Sequence, residues 1–278
     1  MQFADSAEGP WLIAGSALHE LGRDTPMHSH ARGQAFGAIA GLITVETETG
    51  RWVVPATHAV WVPPHQRHGV RVHGPFEGWS AYLAEAACEG LPRRPFTMRM
   101  SGLLREAIQR ACSWNGEALS APQERIAQVV RDEIGALSCE PAGRSEGELR
   151  SGAARRDASD PLGLPMPRDP RLARIAEGLA ADPADRRSLD EWAARVGMAP
   201  RSASRRFQAE TGFGYADWRQ RARALKALEW LAAGRPVTQV ALSLGYDNVS
   251  AFIAMFKRQL GCTPGRYFAS VEGDVGQI

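Results

Sequence analysis

Three histidines stand where their side chains can act together. His28-Ser-His30 puts two imidazoles on one side of a strand, because successive strand residues point to opposite faces. His68 ends the run Pro63-Pro-His65-Gln-Arg-His68 and can bring a third ring from a neighbouring strand. Neutral imidazole suits zinc, iron, nickel or copper, and a facial set of three nitrogens leaves positions open for another ligand. Gln34 follows in the first run, with an amide oxygen that ligates more weakly than a carboxylate. The alternative chemistry is a pocket, since a few convergent polar groups within apolar walls bind small molecules. Trp61, Trp79, Phe36 and Tyr82 can supply such walls or serve as ordinary core. The candidate ligand contacts are therefore His28, His30, Gln34, Trp61 and His68, and the candidate ligands of a divalent metal are His28, His30 and His68.

A second set of residues points to nucleic acid. One pattern occurs twice near the C-terminus: Ser188 to Gly197 and on to Gly212, then Val237 to Gly245 and on to Gly261. Leu189 and Val237 sit eight residues before the turn glycine, Ala193 and Ala241 four before it, and Phe207 and Phe256 five before the closing glycine. A helix-turn-helix needs a small residue where its helices cross, a turn that often holds glycine, and an apolar anchor on the second helix. That second helix enters the major groove with its N-terminal residues against the base edges. In the first copy Arg201, Ser204, Arg205 and Gln208 share one face, with Phe207 on the other. Arginine can bond guanine O6 and N7 together, so Arg201 and Arg205 are the strongest expected readers. The second copy is poorer: Asn248 falls at the N-cap, Val249, Ser250 and Ala254 follow, and Lys257 and Arg258 suit phosphates. One copy alone occurs in many helical domains. Two matched copies predict sequence-specific binding of double-stranded DNA.

The charge distribution agrees. Of 278 residues, 33 are Lys or Arg and 31 Asp or Glu, so the net charge of +2 says little. Residues 1–138 hold 12 basic against 14 acidic, residues 139–167 hold 4 against 5, and residues 168–278 hold 17 against 12. The basic excess thus lies with the duplicated motif. Cys88, Cys112, Cys139 and Cys262 form no Cys-x-x-Cys pair, which excludes a thiolate zinc finger and fits a reducing, cytoplasmic compartment. The N-terminus lacks a basic region and apolar core of a signal peptide, and no apolar run is long enough to predict a membrane span.

These residues need elements to hold them. Residues 10–85 contain short strand-like runs broken by Gly and Pro: Trp11–Ile13, Phe36–Ile39, Leu42–Glu46, Arg51–Val54, Ala59–Val62, Gly69–Val72 and Trp79–Leu83. They predict a small barrel or sandwich. Helical periodicity follows at 101–115, with a stripe of Leu103, Leu104, Ala107, Ile108 and Ala111, and at 121–137, with Ile126, Val129, Val130, Ile134 and Leu137. Residues 139–167 are rich in Gly and Pro and read as a flexible linker. Asp169-Pro170 then opens a helix, Ser188-x-x-Glu191 forms a capping box, and Tyr215 to Ala233 joins the two motifs. The expected fold class is α+β multidomain: a β-barrel at 1–95, a dimerising or docking helical segment at 96–138, a linker at 139–167 and an all-α domain at 168–278.

Segment 172–268 resembles the DNA-binding domain of the AraC/XylS family of bacterial transcription regulators. The resemblance rests on Ser188–Gly197, on Arg206-Phe207 with Gly212, and on the run from Gly245-Tyr-Asp-Asn-Val-Ser through Gly261 and Pro264 to Tyr267. It implies a two-lobed helical domain with base readers at Arg201, Ser204 and Arg205 and at Val249, Ser250 and Ala254. Ala254 stands where some members carry arginine. The histidine runs resemble the cupin barrel, matching at His28, His30, Gly41, Pro63 and His68, with Gln34 in the place of the usual acidic ligand and His65 in that of a glycine. Together the resemblances imply a non-enzymatic, cytoplasmic regulator controlled by a small-molecule effector, acting as a homodimer on promoter DNA with RNA polymerase. Two further readings stay open: a metal-dependent cupin oxygenase or isomerase, and a regulator whose effector is the metal or a redox change.

Overall fold

The computed structural model describes residues 9–20, 22–115, 118–138 and 162–268, which fall into two units. Of the expected linker at 139–167, residues 139–161 lie outside them.

The first unit is an antiparallel sheet backed by two helices. Its strands are β1 (Leu12–His19), β2 (Asp24–His28), β3 (Gly33–Thr47), β5 (His58–Val62), β6 (His68–Leu83) and β7 (Phe96–Arg99). The central pair is β3 with β6. On its far edge β6 carries β1 along 76–83 and β2 along 68–71, while β3 carries β5, and β5 carries β7. The expected runs at 36–39 and 42–46 are one strand, and so are those at 69–72 and 79–83. Register shifts between Ala38 and Leu42, at Gly41 with φ of +86°, let β3 bend while staying paired with β6. The arrangement is cupin-like, and its strand path is open: among the described residues no ladder joins β7 to β1 or β2.

Strand alternation divides the sheet into two faces. Ala35, Ala59, Trp61, Trp79, Ala81 and Leu83 form one face, which packs against Leu104, Ala107, Ile108 and Ala111 of α1 (Gly102–Cys112) and Ala127, Val130 and Ile134 of α2 (Ala121–Leu137). Leu103, expected in the α1 stripe, is 57% exposed because its Cα lies about 100° around the helix from Leu104. Ser101 caps α1 through Leu104 N–H, Ser120 and Gln123 form a capping box on α2, and Trp11 Nε1 donates to Glu124 at 2.6 Å. The helix pair and β7 cluster with the sheet in one compact unit.

The second unit is helical: α3 (Pro170–Ala181), α4 (Leu189–Arg195), α5 (Pro200–Thr211), α6 (Tyr215–Ala232), α7 (Val237–Ser243) and α8 (Val249–Leu260). Residues 162–167, expected in the linker, are part of it. Here β8 (Gly163–Pro165) pairs with Gly50, Arg51 and Trp52 of β4 (Gly50–Pro55), residues 48–53 being assigned to this unit. Leu162 and Leu164 are buried. Trp218 Nε1 donates to the Pro165 carbonyl at 2.8 Å, and Arg221 Nε donates to that of Gly163. The two buried leucines and these two accepting carbonyls seat the segment. No helix among the described residues is long and apolar enough to cross a membrane.

Candidate functional site

On the face of the sheet opposite α1 and α2, the three histidines converge. A ligand atom from each of His28, His30 and His68 lies within 4.8 Å of the others, and among the described residues no other group of three His, Cys, Asp or Glu is so arranged. The ring centroids of His28 and His68 are 4.4 Å apart, and those of His30 and His68 5.0 Å. Each ring is held from behind. Nδ1 donates to a backbone carbonyl in all three: Pro26 for His28 at 2.9 Å, Arg32 for His30 at 2.6 Å and Gln66 for His68 at 2.9 Å. A carbonyl accepts only from an N–H, so this assigns the tautomer and leaves Nε2 with its lone pair. His30 and His68 are buried and His28 is half-buried. Burial is the main force pulling the His68 pKa down to about 4; its hydrogen bond to Gln66 opposes this, and the neighbouring histidines add to it.

Gln34 completes the cluster. Its Oε1 lies 3.1 Å from Nε2 of both His30 and His68, while its amide nitrogen donates to Ser80 Oγ at 3.2 Å and Tyr82 Oη at 3.1 Å. Three lone-pair atoms thus face one another, an arrangement that is repulsive until a cation or a proton stands among them. Rotating the amide by half a turn gives the other satisfied state, with NH2 donating to both rings and Oε1 accepting from both hydroxyls. The residues therefore fit a divalent metal, with His28, His30 and His68 as nitrogen ligands and Gln34 as an oxygen ligand, and they also form a closed polar network without one. Phe36, with its ring centroid 6.2 Å from that of His68, supplies an apolar wall.

Trp61 is not part of this site. It pairs with Ala35, whereas Val62 pairs with Gln34, so the one-residue offset turns its indole to the helix-packed face. There it is fully buried and donates to the Pro92 carbonyl at 2.9 Å. Trp79 lies on the same face. Ser80 was missed as a site residue. The Ser80-x-Tyr82 alternation opposite Gln34 and Phe36 carries the signal.

In the helical unit, both helix-turn-helix copies form from the residues that matched. Gly197 and Gly245 turn at φ of +68° and +80°, where a Cβ would be strained. Ala193 and Ala241 are fully buried at the helix crossings, and Phe207 and Phe256 anchor α5 and α8. Phe207 packs edge-on against Trp218 at 5.7 Å and Tyr215 at 6.2 Å, and Phe256 packs edge-on against Phe252 and Tyr267, each at 5.9 Å. Ser188 caps α4 in a box with Glu191, and Asn248 caps α8 by accepting from Ala251 N–H at 2.8 Å. Between the copies, Arg223 Nε donates to the Pro183 carbonyl, Tyr246 Oη to Gln220, and Arg186 pairs with Asp247 at 2.9 Å. The first two contacts tie the lobes to α6, and the third joins the lobes directly.

The outer surface of α5 carries Arg201, Ser204, Arg205 and Gln208, all exposed, and Arg201 and Arg205 have no hydrogen bond or ion pair among the described residues. Arg206 differs: it pairs with Asp169 at 2.9 Å and Glu210 at 3.7 Å, in a network that also caps α3. Arg219, Arg221 and Arg223 are likewise spent on backbone carbonyls inside the unit. On α8, Ser250, Ala251 and Ala254 are exposed, Val249 is half-buried, and Lys257 and Arg258 stand exposed in the last turn. The Asn248 oxygen is held by its cap, which leaves the amide NH2 as its outward donor.

A family model described as a helix-turn-helix domain matches residues 192–270. The HTH-type transcriptional regulator NimR of Escherichia coli is 32% identical over 246 residues, which cover 88% of this chain and 82% of that protein. The HTH-type transcriptional regulator RipA of Corynebacterium glutamicum is 34% identical over 104 residues, 37% of this chain and 31% of that one. Among solved structures, the DNA-binding domain of the global transcriptional factor AdpA in complex with a target DNA is 28% identical, covering 39% of this chain and 98% of that one, with a TM-score of 0.35.

Proposed function

The chain belongs to the AraC/XylS family of DNA-binding transcription regulators, and on that premise we propose how its residues divide the work. The observation that carries the proposal is the state of Arg201 and Arg205: exposed, on one helix face and without a hydrogen bond or ion pair among the described residues, while the adjacent Arg206 is paired. The first lobe reads sequence through Arg201, Ser204, Arg205 and Gln208 against base edges. The second lobe supplies position and apolar readout: Val249, Ser250 and Ala254 against bases, the Asn248 amide beside them, and Lys257 and Arg258 on phosphates. Arg206 is structural.

The N-terminal unit is the sensor. His28, His30, Gln34 and His68, with Ser80, Tyr82 and Phe36 around them, form the effector site, and Trp61 belongs to the supporting core. A small molecule acts there by binding one state of the regulator more tightly than another. The protein works in the cytoplasm as a homodimer, engages RNA polymerase at promoters, and catalyses no reaction. A metal-loaded sensor is the second reading, favoured by the three Nε2 lone pairs and Gln34 Oε1 that converge on one point. A metal held there supplies a Lewis-acidic anchor for a ligand oxygen or nitrogen.

Fluorescence anisotropy of the full chain on a selected operator and on a scrambled duplex tests the division. The R201A/R205A variant is expected to lose discrimination between the two duplexes while keeping salt-dependent binding to both. Equal discrimination by the variant and the parent would overturn the assignment.

A further inference from the structure

The donors around the metal position are all neutral. Three imidazoles and an amide oxygen face it, and the cluster contains no carboxylate. The sequence puts Gln34 where a carboxylate would cancel half of a divalent charge. The described side chains that bond to Gln34 or face His68 do not replace that charge: Ser80 and Tyr82 are neutral hydroxyls bonded to the Gln34 amide, and Phe36 is apolar. His30, Gln34 and His68 are all at most 6% exposed. A dipositive ion placed there would carry its whole charge into a poorly solvated site, which is costly unless an anion accompanies it. Three histidines and one amide also leave coordination positions unfilled for a six-coordinate or five-coordinate ion. The half-buried His28 marks the side from which a further ligand can enter.

We propose that the first-row divalent metal held by His28, His30, His68 and Gln34 makes this a receptor for small anions, in which a carboxylate or comparable oxyanion of the effector binds the metal directly and supplies the negative charge that Gln34 lacks. The effector half of this proposal rests on the sensor reading given above; the metal and anion half does not. Gln34 sets the selectivity. Its amide can present oxygen to a metal or NH2 to the two empty rings, so the site tolerates both loading states, whereas a glutamate would cancel half of the metal's charge and compete with the anion.

The experiment loads the full-length protein with Co(II), whose visible absorption reports coordination, and then titrates acetate, with acetamide as a neutral control of similar shape. Co(II) is expected to bind in a one-to-one ratio, acetate to shift the spectrum saturably, and acetamide to leave it unchanged. Q34E is expected to bind Co(II) at least about tenfold more tightly and acetate at least about tenfold more weakly, because the added carboxylate takes up the charge. H68A is expected to lose the Co(II) spectrum; its circular dichroism and its binding to an operator duplex report whether the chain is folded. Failure of the folded parent to bind Co(II) overturns the metal site. Binding that responds equally to acetate and acetamide, or a Q34E variant with undiminished acetate affinity, overturns the anion receptor. Operator affinity is measured in the same samples. An acetate-responsive metal site with unchanged operator affinity would support the receptor and refute the sensor reading instead.

Discussion

Replacing Arg205 by alanine separates base reading from polar structural roles, because the side chain, exposed on α5, makes no hydrogen bond or ion pair among the described residues. Exposed substitutions away from structural contacts change stability by at most about 0.5 kcal/mol, so R205A should melt with the parent. At the operator the loss is larger. A bidentate arginine contributes about 1–3 kcal/mol against the wrong base, or roughly 5- to 150-fold at the base pair it reads. The assay is anisotropy of the parent and R205A on a panel of operators, each with one base pair changed. The expected result is a panel in which R205A has become indifferent at one or two positions and unchanged elsewhere. R206A is the internal control. It breaks the bridge to Asp169 and Glu210, so it should lower the melting temperature and leave the pattern of preferences intact. The reasoning is refuted if R205A weakens all sequences equally and reduces the salt slope by about one, the signature of a phosphate contact.

Other consequences follow from packing and protonation. F207A removes a fully buried ring between Trp218 and Tyr215 and should cost about 3–5 kcal/mol in urea unfolding of the helical unit; an unchanged midpoint would show that the first lobe does not depend on this anchor. A fragment beginning at residue 168 lacks the Gly163 and Pro165 carbonyls that accept from Arg221 and Trp218, so it should be less stable than one beginning at 162, by about 1–3 kcal/mol for each orphaned donor. Equal melting of the two fragments would contradict that docking. His58, on β5, has its pKa pushed from 6.5 down to about 4, by burial first and then by the Arg99 charge. The unfolded chain therefore takes up this proton before the folded one does. Stability from the neutral ring is complete above pH 6.5 and is lost as pH falls towards 4, by at most about 2 kcal/mol between pH 7 and pH 5. H58Q should flatten that decline in denaturant titrations, and an identical pH profile would refute the attribution.

The helical half was legible because its signals are local. A glycine at positive φ, an alanine at a crossing and a phenylalanine anchor are each fixed by one turn of backbone, and Ser188 with Glu191 or Asn248 with Ala251 repeat the same short-range logic at the caps. The sheet was harder to read. The run Asp24-Thr-Pro-Met-His28 is polar and holds a proline, yet it pairs as β2 along the edge of β6, where tertiary contact outweighs propensity. β3 and β6 each read as two strands, because bulges near Gly41 and the Gly74-Pro75 pair interrupt the pattern without ending the ladder. Trp61 shows why a pocket cannot be read from aromatic content. A shift of one residue decides which face a strand side chain takes, and the sequence does not say which face is the pocket. The histidine spacing did carry over: His28 and His30 share a face and His68 meets them from β6. What no spacing could supply is the orientation of each ring, which comes from the Pro26, Arg32 and Gln66 carbonyls behind them. Nor could the pattern show which arginines are paired, since Arg205 and Arg206 are adjacent and differ in the partners that the described residues bring to Arg206.

The central claim is that two recognition helices on one compact helical unit read specific DNA. Capturing fragments of the source genome with the purified full-length protein at near-physiological salt, then sequencing them, tests it most directly. The account predicts a small set of enriched sites that share a motif of two unequal half-sites about one helical turn (~10–10.5 bp) apart, the more strongly specified half being the one lost in R201A/R205A. Salt-sensitive recovery of fragments with no common motif would contradict it, since that is the behaviour of electrostatic attraction to the phosphate backbone alone.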